Sequence, residues 1–175
     1  FDKVLERYRA YQTDIGARAA VVRKRAHPNR WPRAGAHADG WDESTPLLEL
    51  LVNGSAEFRG EIVDSAWRRM IREKRGDARV LGVHVRPTSD VRSLRAVMSD
   101  AKKAGYAFVD LQVRAGEFPY EPKSYRLAVG RARGSLRVRI SPDDSIQLLV
   151  QALDIKAGVL AKSKKSPAKP VVFAI

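Results

Sequence analysis

Apolar positions return along this chain in two rhythms, and the switches between them mark out its elements. Over residues 1–26, Val4, Leu5, Tyr8, Tyr11, Ile15, Ala19 and Val22 recur at three- and four-residue steps, the period of an amphipathic helix, here a basic one. Pro28 and Pro32 end it. Residues 27–46 carry three prolines and two glycines with no period and read as an arm or linker. Leu47 to Val52 then reads as a strand. Asn53-Gly54 reads as a hairpin turn, because both residues tolerate positive φ, and Phe58 to Val63 as the returning strand. Asp64 or Ser65 is placed to cap a helix whose Trp67, Met70 and Ile71 form an apolar stripe, with Gly76 as its stop.

Val80, Leu81, Val83 and Val85 predict a third strand closed by Pro87, which cannot donate to a central ladder. Asp90 is an N-cap for a second helix with Leu94, Val97, Met98 and Ala101 on one face, and Gly105 stands where a left-handed C-terminal cap is expected. In the fourth strand Ala107, Val109, Leu111 and Val113 alternate with Phe108, Asp110 and Gln112, the pattern of a sheet with one covered face. The order β-β-α-β-α-β over residues 47–114 predicts an α+β domain, a small mixed sheet with two helices on one face.

The first half of that pattern returns after residues 116–122. Tyr125 to Val129 and Leu136 to Ile140 read as strands around the turn Gly130 to Gly134. Ser141-Pro142-Asp143-Asp144 then gives an N-cap, a first-turn proline and acids at the positive end of a helix dipole. Ile146, Leu149, Val150 and Leu153 form that helix's apolar face, and Val171 to Ile175 is a strand. Residues 125–175 are thus expected to be a second, incomplete β-β-α-β unit. A chain that opens on Phe1 and stops inside an apolar strand is expected to be a window on a longer protein.

Composition narrows the classes. Of 175 residues, 44% are hydrophobic and 30% charged, enough for a buried core. The absence of cysteine removes disulfides, thiolate nucleophiles and cysteine-ligated metals together. No run of about 18 apolar residues occurs that would span a bilayer. The net charge of +13 is concentrated at the C-terminal end: residues 121–175 hold 11 basic and 4 acidic side chains. That excess attracts anions of any kind, and arginine-rich usage of this sort also arises from genome composition alone.

No motif carries catalysis or a cofactor. Gly130-Arg131-Ala132-Arg133-Gly134 lacks the Lys-Ser/Thr of a phosphate-binding loop and reads as a hairpin turn. Ser99-Asp100-Ala101-Lys102 spells a serine–lysine tetrad without its Lys-Thr-Gly partner. His37 with Asp39 and Asp42 has the donor types of a metal site without its spacing. His84, in mid-strand, reads as a hydrogen-bonded sheet residue. No catalytic, cofactor or metal residue is therefore assigned. For contact with a partner or an anion, the candidates are Arg23, Lys24, Arg25, Arg30, Trp31 and Arg33 in the arm, where cations flank an aromatic, and Lys162, Lys164 and Lys165.

The run Val83-His84-Val85-Arg86-Pro87-Thr88-Ser89-Asp90-Val91, then Leu94, Val97-Met98-Ser99-Asp100-Ala101-Lys102-Lys103-Ala104-Gly105 and Val109-Asp110-Leu111, resembles the periplasmic domain of the ExbD/TolR family of biopolymer-transport proteins. The resemblance covers residues 47–114, with a partial second copy at 125–175. It implies a subunit of a proton-driven inner-membrane motor. In that family a single membrane helix carrying a proton-accepting Asp lies upstream, and the periplasmic domain dimerises and meets motor subunits, a periplasmic partner protein or the cell wall. Two function classes follow. The first is a non-enzymatic periplasmic interaction and dimerisation module of such a complex. The alternative is a basic nucleic-acid-binding module, cytoplasmic in that case, that contacts phosphates through its Arg/Lys clusters.

Overall fold

A computed structural model describes residues 31–51, 56–58, 61–63, 66–116, 120–163 and 170–175. The basic helix expected at 1–26 and the Asn53-Gly54 turn lie outside the described residues. In chain order the elements are β1 (Asp39–Gly40), β2 (Leu47–Leu50), β3 (Ala56–Phe58), β4 (Glu61–Val63), α1 (Trp67–Glu73), β5 (Val80–His84) and α2 (Val91–Lys103), followed by β6 (Phe108–Ala115), β7 (Glu121–Ala128), β8 (Leu136–Arg137), α3 (Ile146–Ala161) and β9 (Val172–Ala174). This is the α+β fold expected from the sequence.

The described strands form one mixed sheet in the order β4-β3-β2-β5-β6-β7-β9-β8. The strand expected from Phe58 to Val63 is two strands. β3 returns on β2 with Leu50 opposite Ala56, and β4 folds back on β3 with Phe58 opposite Glu61. Residues 59 and 60, between them, lie outside the described residues. β2, β5 and β6 are parallel, and β7 returns antiparallel along the whole of β6. The other edge of β7 is shared: β1 pairs with Ser124 and Lys123, and β9 lies parallel against Arg126 and Leu127. β8 then adds parallel to β9.

α2 forms where the sequence places it because both of its ends are locally determined. The Asp90 carboxylate accepts from the Ser93 N–H at 2.9 Å and from the Ser93 hydroxyl at 2.7 Å, which holds its pKa below the usual carboxylate value. At the far end Gly105 takes φ +92°, the left-handed region. There the Tyr106 N–H reaches the Ala101 carbonyl and the Gly105 N–H reaches Lys102, a Schellman closure. Asp64 and Ser65, the caps expected for α1, lie outside the described residues. Ala66 occupies its N-cap and supplies no side-chain oxygen.

α3 departs from expectation at its start. Its N-cap is Ser145, whose hydroxyl accepts from the Leu148 N–H at 3.2 Å; Ser141 to Asp144 form a turn ahead of the helix. That turn has other work. The N–H groups of Val91 and Arg92, the first two of α2, donate to the carbonyls of Asp144 and Pro142 at 2.9 Å each. Reciprocally, the N–H groups of Ile146 and Gln147 in α3 donate to Ser89 and Pro87 at 2.8 and 3.0 Å. A helix start leaves four N–H groups without intrahelical partners. Here each helix meets two of them with the loop that precedes the other. Around β7 the flanks match: β6 then β5, joined by α2, on one side, and β9 then β8, joined by α3, on the other.

One hydrophobic cluster spans both units. Leu81, Val83, Val109, Leu111, Tyr125, Leu127 and Phe173 line the sheet side, with Leu94 and Val97 of α2 and Leu149 and Leu153 of α3 opposite. Full burial of such a side chain contributes roughly 1.5–3 kcal/mol.

Candidate interaction surface

The face of the sheet away from this cluster is also covered, contrary to the expected single covered face. His84, Asp110, Gln112 and Ser124 all lie there and are buried. Their cover includes the arm. The Trp31 ring packs 5.3 Å from the His84 ring, and Trp41 lies over Gly82, where a side chain on residue 82 would collide with it. Period-2 alternation marks Asp110 and Gln112 as outward, and no local pattern signals that tryptophans from an arm distant in sequence cover His84 and Gly82 on this same face.

The ionisable groups on and around this face are engaged in structure. Arg126 forks onto Asp110 with two 2.8 Å bonds, and these bonds raise the guanidinium pKa above its ordinary value. His84 Nδ1 lies 3.2 Å from Glu49 Oε1. The Tyr125 hydroxyl accepts from the Gly35 N–H at 3.1 Å and donates to Asp154 at 2.9 Å. Burial, reinforced by that carboxylate, pushes its pKa well above the ordinary phenol value. The same Asp154 oxygen accepts from the His37 N–H at 2.8 Å, so α3 holds the arm down. Asp39 and Asp42 open instead onto a polar cleft of about 290 Å³ with Asp110, Ser124 and Arg126. The His37, Asp39 and Asp42 set is thus divided between two places, and among the described residues no group of three acids and histidines is placed to hold a metal ion.

Of the residues named for partner contact, Trp31, Arg33 and Lys162 are described. Arg23, Lys24, Arg25, Arg30, Lys164 and Lys165 lie outside the described residues. Trp31 is half-buried, and its carbonyl accepts from Arg114 Nε at 3.1 Å. Arg33 is exposed, but its backbone is clasped at both ends by the Gln147 side chain near the start of α3. Lys162 is the exposed C-cap of that helix. The helix separates Arg33 from Lys162 by about 20 Å at 1.5 Å per residue, so the two do not form one patch.

Two other surfaces present themselves. β8 is an edge strand that pairs only with β9 among the described residues, and Arg131, Arg133, Arg137 and Arg139, all exposed, lie along and beside it. On α3, Leu148, Ile155 and Val159 are 44%, 68% and 64% exposed, the exposed large hydrophobic side chains of the described residues. The sequence held a signal for the second surface. Ile146, Leu149, Val150 and Leu153 account for the core face of α3 and leave these three apolar residues unassigned.

No helix among the described residues is long and apolar enough to cross a membrane. In comparisons with known proteins, the chain matches no family model, no curated protein and no solved structure.

Proposed function

We propose that this chain is a non-enzymatic contact module of the ExbD/TolR type, held on the periplasmic side of a bacterial inner membrane. In this role it dimerises and meets motor subunits and a periplasmic partner protein or the cell wall. One observation carries the reading. The residues that bear the resemblance assemble as a single unit: strand β5, the Pro87 to Asp90 turn, the capped helix α2, the Ala104-Gly105 stop and strand β6. The engagement of His84, Asp110, Arg126 and Asp154 in structural pairs favours contact over catalysis as the role of this fold. For that contact β8, an edge strand among the described residues, is suited to accept an added strand, and its arginines favour an acidic segment.

The test places a photo-crosslinking residue at Arg137 in the full reading frame, expressed in its own host. Capture of an inner-membrane or periplasmic protein, with protection of the chain from protease until the outer membrane is opened, is the expected result. Fractionation with cytosol, together with retention on DNA or RNA that falls steeply with salt, would replace this reading with the phosphate-binding one.

A further inference from the structure

We infer that the outer face of α3 is a two-fold interface, where a second copy of this chain packs its own α3 antiparallel to the first. The inference rests on the reading of the chain as a dimerising module and assigns the surface that does it.

The matched caps of α2 and α3 allow the helices to be superposed residue for residue from their starts. Asp90 answers to Ser145, Val91 to Ile146 and Leu94 to Leu149, each apolar pair buried. On the outer side Ser93 answers to Leu148 and Asp100 to Ile155. In the first unit that side has a neighbour: Arg68 of α1 bonds Asp100 at 2.8 Å, and α1 packs beside α2. In the second unit the described chain between β7 and β8 holds turns and no helix. α3 therefore shows an apolar face at the position where α2 has a helix against it.

The face has the form of a helix-pairing seam. Leu148, Ala152, Ile155 and Val159 follow at steps of four, three and four. Its ends are of opposite charge, Asp144 ahead of Leu148, beside an Asp143 that is already paired with Arg92, and Lys162 after Val159. A surface with apolar residues in the middle, acids at one end and a base at the other complements itself when rotated by two-fold symmetry. In the antiparallel pair Leu148 meets Val159 of the second copy, Ala152 meets its Ile155, and Lys162 reaches its acidic turn. The helix dipoles also oppose favourably. The seam spans about 16 Å, three turns of helix and a small contact, so a weak, concentration-dependent association is expected.

Sedimentation equilibrium of the chain from about 1 to 500 μM is the test, a range wide enough to detect weak self-association. The mass is expected to rise from 19.5 kDa toward twice that value. Ile155→Lys should weaken association at least about tenfold with an unchanged circular dichroism spectrum, since the side chain is 68% exposed. Lys162→Glu should weaken it less, and adding Asp144→Lys should recover part of the loss. A wild-type chain that stays at 19.5 kDa throughout, or a dimer that Ile155→Lys leaves intact, overturns the assignment. A chain that stays monomeric also removes dimerisation from the proposed role, while a dimer that Ile155→Lys leaves intact removes only this surface; partner capture from Arg137 tests the rest of that role in either case.

Discussion

The two helices that start against one another, α2 and α3, share a beginning and differ in what surrounds them. Each is capped by a short polar side chain, Asp90 or Ser145, each borrows two carbonyls from the other's approach loop, and each buries a leucine four residues on. Yet α2 is amphipathic, with Ser93 and Arg92 exposed, whereas α3 has apolar residues on most of its circumference. A helix hydrophobic all round belongs in an interior. The contrast teaches that one start geometry serves two ends: a helix finished within its own chain by α1, and a helix left with a face to place.

The largest expected effect asks whether the two units are one cooperative body. Leu94→Ala and Leu149→Ala remove equivalent, fully buried side chains, and each should cost about 2–5 kcal/mol by denaturant titration, in a single transition. Two transitions, or a Leu149→Ala loss below about 1 kcal/mol, would break the equivalence and make the second unit an appendage. A smaller effect sharpens it. Ser145→Ala removes one cap bond and should cost about 1 kcal/mol, and because α3 and α2 share their starts, amide exchange at Val91 and Arg92 should quicken as well.

The smallest effect concerns pH. The Asp90 pKa is lowered in the folded chain by its bonds to Ser93, so the stability it contributes is present above the unfolded carboxylate value of about 3.9. That stability is lost as pH falls through the folded value. Asp90→Asn should therefore flatten the acid limb of the stability profile, while Ser145→Ala leaves its shape alone. An unchanged limb in the Asn variant would show that the carboxylate's charge contributes nothing to the cap.

Much of this fold was legible in the sequence. Asp90 and Gly105 announce the ends of α2 by chemistry local to themselves, and the alternation through Val109, Leu111 and Val113 announces β6. What was illegible depends on residues distant in sequence. The bonds from Val91 to Asp144 and from Ile146 to Ser89 run to backbone carbonyls, which every residue has, so no side chain marks them. Ser141-Pro142 has the stronger local form of a helix start, but it forms a turn, and Ser145, with the weaker form, caps α3. Asp110 is met by Arg126 from another strand and shares its cleft with Asp39, Gly40 and Asp42 of the arm. Of the surfaces assigned to contact, the β8 arginines were visible only as charge, and the outer face of α3 as apolar residues beyond those the core required.

The placement of β9 between β7 and β8 has a consequence for how the protein is made. β8 has no neighbour in the sheet among the described residues until β9 arrives, roughly 35 residues later in the chain. At ribosomal speeds of about 5–20 residues per second, Leu136 and Val138 wait two to seven seconds for their partner strand to be translated. Until then the nascent chain holds a nearly finished first unit beside the Arg126–Leu127 part of the β7 edge, which awaits β9, and that interval is when a holdase, or a neighbouring chain on the same messenger, would find it.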